Sequence, residues 1–95
     1  MVHYEGVFIL NSGLSPDTNK GMVTQIQDLI TKNGGRIDGL QEWGRKKLAY
    51  RVKKKQDGNY VLINLQIDPK MTKKLAEILR LNDDILRFLF IKKEA

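Results

Sequence analysis

The 95-residue chain carries 17 Lys and Arg against 11 Asp and Glu, a formal net charge of +6, with 41% apolar and 29% charged residues and no cysteine. This is the composition of one soluble domain, residues 1–95, with a single core. It excludes disulfides and thiolate chemistry, fits a reducing cytoplasm, and offers no apolar run near the ~20 residues that span a bilayer. No basic start leads into an apolar signal core, so the chain is expected to stay in the compartment where it is made.

The first element is a strand: Tyr4, Gly6, Phe8 and Leu10 alternate with His3, Glu5, Val7 and Ile9, giving a greasy face and a mixed one. Ser15-Pro16-Asp17 then supplies a hydroxyl cap, a proline at the first helical position and an acid in the first turn. The apolar stripe Met22, Val23, Ile26, Leu29 and Ile30 and the stop Asn33-Gly34-Gly35 bound a helix over about 16–33. Residues 36–52 read as a long second strand. Ile37 is out of phase with Leu40, Leu48, Tyr50 and Val52, which calls for a bulge near Gly39. Gln56-Asp57-Gly58-Asn59 reads as a hairpin turn and 60–67 as a central strand. Asp68-Pro69 repeats the cap-plus-proline start for a short helix burying Met71, Leu75, Ile78 and Leu79. Asn82 ends it, and 85–91 returns as the last strand.

The order βαββαβ predicts an α+β, ferredoxin-like split βαβ sandwich. Its four-stranded antiparallel sheet carries two helices on one face, with the first and third strands inside.

Charge is clustered. Seven cations fall between Arg45 and Lys55 with no acid among them, a pattern suited to a phosphate backbone or, more blandly, to an edge strand protected against aggregation. If the second strand is regular, Trp43, Arg45, Lys47, Arg51 and Lys53 share a face, and Trp43 either stacks on a base or partner or lies on its own sheet. The helix-free face also carries Val7, Ile9, Tyr60 and Leu62, enough apolar surface to suggest a docked protein or RNA. The segment 58–65 lacks the paired aromatics with which an RNA-recognition motif stacks bases, so contact through charged edges and loops is expected.

Catalysis has little to work with. The single histidine, His3, has no nucleophile beside it, Asp83-Asp84 point apart, and Gly34-Gly35 follows a helix where a phosphate loop would precede one. Small acyl-phosphate-hydrolysing enzymes of this fold need an arginine in the loop after the first strand, and Asn11-Ser12-Gly13-Leu14-Ser15 has none. No catalytic residue, metal site, cofactor or small-molecule substrate is expected. The alternative reading is a ferredoxin-like regulatory or oligomerisation module that binds a small ligand.

Tyr4-Glu5 leading to Leu10-Asn11, Gly44-Arg45-Lys46-Lys47-Leu48-Ala49-Tyr50, Gly58-Asn59-Tyr60, and Leu79-Arg80-Leu81-Asn82-Asp83 with Arg87 and Lys92 occur in this order along nearly the whole chain. In them the sequence resembles the bacterial small-subunit ribosomal protein six family. Its one local departure is Arg51 where the family usually has proline after the tyrosine. The resemblance implies a non-catalytic component of the cytoplasmic small ribosomal subunit that binds the central domain of its ribosomal RNA together with small-subunit ribosomal protein eighteen. On charge, the residues expected to meet RNA are Arg45, Lys47, Arg51, Lys53 and Lys54, with Arg80, Arg87, Lys92 and Lys93 as a second group. Leu40, Trp43, Tyr60 and Leu62 are the expected contacts for the protein partner.

Overall fold

Alternation in the first ten residues becomes strand β1 (Val2–Asn11), and the two cap-plus-proline signals become helices α1 (Pro16–Lys32) and α2 (Pro69–Leu79). Strands β2 (Arg36–Val52), β3 (Lys55–Ile67) and β4 (Ile85–Lys92) complete the βαββαβ order in this computed structural model. It describes residues 1–52 and 55–93, with side chains described outside 49–52. One antiparallel sheet runs β2-β3-β1-β4, so β1 and β3 are the inner strands, as expected for the ferredoxin-like α+β sandwich.

The core lies between the sheet and the helices. Tyr4, Phe8 and Leu10 of β1 sit beside Val61, Ile63, Leu65 and Ile67 of β3, and the helices close over them with Met22, Val23, Ile26, Ile30, Leu75 and Leu79. The Phe8 ring stacks on Phe88 at 6.5 Å and meets the edge of Phe90 at 5.9 Å. No charged or polar residue is buried among those described, so the core draws its stability from apolar area and packing.

Both helix starts behave as read. Ser15 Oγ accepts from the Thr18 amide at 3.2 Å, and Asp68 Oδ1 from the Lys70 amide at 3.0 Å. At the α1 stop Gly34 takes φ 84°, and the Gly35 amide donates to the Ile30 carbonyl at 2.9 Å.

Three local expectations are corrected. Gln56-Asp57-Gly58-Asn59 is not a turn: these residues belong to β3, with Asp57, Gly58 and Asn59 opposite Lys47, Lys46 and Arg45, and the pairing of the two strands continues to Val52 with Lys55. Gly58 serves a close approach instead. A Cβ there would fall inside van der Waals contact of Ile9 Cγ2 and 3.1 Å from the Leu10 carbonyl oxygen. In β2 the anticipated irregularity near Gly39 is present between Ile37 and Gly39, but a second lies between Glu42 and Gly44, where Gly44 takes φ 80°. Finally, Ile78, expected in the core, is 38% exposed and lines a groove with Met22, Ile26 and Leu29 of α1.

The sheet's two edges differ. β2 is broken by register shifts at three places and carries the basic run, whereas β4 pairs without interruption from Arg87 to Lys92 and leaves Leu89 and Ile91 exposed.

Candidate nucleic-acid interface

The β2–β3 hairpin outruns β1, whose last pairing is Asn11 with Gly58, so the strand stretches carrying the basic residues from Lys46 onward project past the body of the sheet. The bulge at Trp43 sorts the side chains there. Arg45 lies opposite Asn59, whose amide faces Asn19 of α1 at 3.5 Å, and is therefore on the helix side. Trp43 sides with its sheet neighbours Gln41, to which its Nε1 donates at 3.2 Å, and Lys46, whose Nζ lies 5.1 Å from the ring centre. The single face expected to hold Trp43, Arg45 and Lys47 together is thus divided, because one extra residue in a strand reverses the parity of everything after it.

Arg45 is also tied down. Its Nε donates to Asp57 Oδ2 at 2.7 Å, Nη2 lies 2.6 Å from the same oxygen, and Ser12 Oγ donates to Asp57 Oδ1 at 2.6 Å. The triad pins the hairpin to the β1–α1 loop. The Ser12 hydroxyl first and the Arg45 guanidinium second hold the Asp57 carboxyl below its ordinary value of 3.8. A depressed pKa contributes stability that is present above the unfolded value and is lost as pH falls through the folded one. Asp57 is accordingly expected to titrate below its ordinary value in carbon-detected NMR, and Ser12→Ala to move it upward. Coincident curves for the two proteins would refute the triad.

Lys47 stands exposed opposite Asp57, while Lys53, Lys54 and the Arg51 side chain lie outside the described residues. The second group is on the far edge: the Arg80 guanidinium sits 5.9 Å from the Phe88 ring centre, Arg87 and Lys92 are exposed on β4, and the Lys93 amide donates to the His3 carbonyl at 2.9 Å. Since β2 and β4 are opposite edges, the two basic groups are not one cluster.

Of the four expected partner contacts, Tyr60 and Leu62 are on the side of the sheet away from the helices, paired with Ile9 and Val7, Tyr60 half-buried and Leu62 buried. Gly44 opposite Tyr60 adds no side chain over that ring. Trp43 is 46% exposed. Leu40 lies opposite Ile63 and so faces the helix side, again because of the bulge sequence in β2. A shallow groove of about 210 Å³ crosses the open face between Val7, Ile9, Arg87, Phe88 and Leu89. Sequence reading missed Ser12 and Asp57, whose partnership joins residues 45 apart. It also missed the polar end of the open face, where Asp38 accepts from Gln66 Nε2 at 2.9 Å and lies 3.6 Å from Arg36 Nε and 3.8 Å from His3 Nδ1. Among the described residues no group of acids and histidines is placed to hold a metal, and no helix is long and apolar enough to cross a membrane.

Comparison with known proteins gives this geometry its context. The family model for ribosomal protein S6 matches residues 3–92. Relatives named small ribosomal subunit protein bS6 include those of Thermoanaerobacter pseudethanolicus, 39% identical over 94 residues, and Clostridium novyi, 36% identical, each alignment covering 99% of both chains. Among solved structures, 30S ribosomal protein S6 of Thermotoga maritima superposes with a TM-score of 0.91 at 25% identity, over 97% of this chain and 87% of that one. The C-terminal domain of the MgtC protein of Mycobacterium tuberculosis, TM-score 0.64 at 14% identity, shares the fold. With the family model spanning nearly the whole chain, full-length relatives above 30% identity and a solved S6 structure superposing over 97% of the chain, the chain belongs to the ribosomal protein S6 family.

Proposed function

We propose that this chain is a non-catalytic, single-domain component of the small subunit of the cytoplasmic ribosome. In this reading it binds the central domain of small-subunit ribosomal RNA jointly with small-subunit ribosomal protein eighteen. The observation that supports it best is the separation of surfaces: cations lie along the projecting hairpin and the β4 edge, while apolar side chains occupy the open sheet between them. RNA phosphates answer the first kind of surface and a protein the second. Arg45 acts chiefly by setting the hairpin's position, and Lys47, Arg51, Lys53 and Lys54 carry its free charge toward RNA. Arg80, Arg87, Lys92 and Lys93 serve the opposite flank, and Trp43, Tyr60 and Leu62 meet the protein partner. Folded RNA is read through phosphate placement and shape.

A labelled central-domain RNA fragment titrated with this chain, alone and with protein eighteen, at several salt concentrations tests the proposal. For about four neutralised phosphates, log affinity falls against log salt with a slope of roughly −3, and the partner strengthens binding. A flat salt response overturns the electrostatic mechanism. A stable homodimer without RNA affinity would instead identify an oligomerisation module.

A further inference from the structure

The open face holds a pair of acceptors that no side chain of the described fold serves. Glu5, in the middle of β1, stands in register between Asn64 of β3 and Ile91 of β4, and Asn64 in turn faces Gly39 of β2. Asn64 Oδ1 is buried and receives no hydrogen bond. Glu5 is half-buried and has no ion pair among the described residues. The nearby cation Arg36 is already engaged by Asp38, as are His3 and Gln66. Neighbouring strands lie about 5 Å apart, so the side chains of Glu5 and Asn64 stand next to each other on the open face. Leaving such groups without donors is costly, and a guanidinium, with five N–H groups in a planar fork, satisfies a carboxylate through two of them and has others to spare for an amide oxygen.

The surroundings suit an arginine stem. Val7 and Leu62 form the next row of the face, Leu89 and Ile91 flank it on β4, and Gly39, against which the Asn64 amide nitrogen lies, adds no side chain on the β2 side. On a chain of net charge +6, this is an acidic spot set in an apolar field. It attracts a basic protein segment and repels a phosphate.

We propose that Glu5 and Asn64 form a receptor on the open sheet for one arginine side chain of a basic protein partner. The inference rests on the reading that the chain assembles with a protein, and it names how that protein is held. The test is the affinity of protein eighteen for the wild-type chain, Glu5→Gln and Asn64→Leu by titration calorimetry, with RNA binding by each chain alone measured in parallel. Both substitutions are close in size to the originals and keep the strand. Glu5→Gln is expected to weaken protein binding at least tenfold, Asn64→Leu to weaken it severalfold, and RNA binding by the chain alone to stay unchanged. Equal affinity of all three for protein eighteen overturns the receptor and leaves the partnership standing. Absence of binding by the wild-type chain overturns both. A change in RNA affinity with Glu5→Gln assigns the face to RNA and overturns the receptor.

Discussion

Truncating Phe8 to alanine is expected to remove about 3–5 kcal/mol of stability, a large part of the roughly 5–14 kcal/mol available to a domain of this length. Phe8 is fully buried on inner strand β1 and is the ring around which the others gather, with Phe88 stacked on it and Phe90 edge-on. Gly6 keeps that place open: a Cβ on Gly6 would come within 2.8 Å of the Phe8 ring. Alanine at position 8 therefore loses the transfer energy of the ring and also leaves a void bounded by the stiff sheet on one side, where relaxation is limited. Phe8→Leu keeps most of the volume and is expected to cost less than about 2 kcal/mol. Urea denaturation checks both through a shift in midpoint at constant slope. A loss below about 1 kcal/mol for the alanine variant would show that β1 and β4 do not pack around this ring.

Gly58→Ala is expected to cost about 1–3 kcal/mol, the range of overpacking in a well-filled structure. Gly58 has no positive φ, so the cost is steric: the new methyl meets Ile9 Cγ2 and the Leu10 carbonyl oxygen on the adjoining strand. The prediction separates the two views of this glycine. A glycine in an open loop tolerates alanine, whereas one that admits a neighbouring strand does not. Removing the colliding group should relieve the strain, so in an Ile9→Ala background Gly58→Ala is expected to cost less than about 1 kcal/mol. Additive losses in the double variant would refute the clash.

The elements that were legible in the sequence were those specified by near neighbours. Alternation at 3–10 and the Ser15-Pro16 and Asp68-Pro69 starts all act within a few residues, and each appears where it was expected. The Gln56–Asn59 misreading had a physical cause: Asp-Gly-Asn is strong turn chemistry locally, but here Asp57 is satisfied by Ser12 and Arg45 and Gly58 by the approach of Ile9. The Trp43 bulge hid a second error, since a parity count along β2 carries straight through an inserted residue and reverses every side chain beyond it. That is why Arg45 turned out to face the helices, while Leu40, which precedes Trp43, does so after the earlier irregularity between Ile37 and Gly39. The cationic run was visible as composition, but the pairing of Glu5 with Asn64, far apart in the chain, exists only once β1 and β3 are in register.

The unequal edges of the sheet decide where a weakened molecule would go wrong. An intact ladder with exposed apolar side chains is a template for another strand, and bulges and crowded cations deny that template. β2 has both defences, and β4 has neither along Leu89–Ile91. Self-association of partly unfolded chains should therefore begin at the C-terminal strand, and a lysine placed at Leu89 would act as a gatekeeper against fibril growth without touching the core.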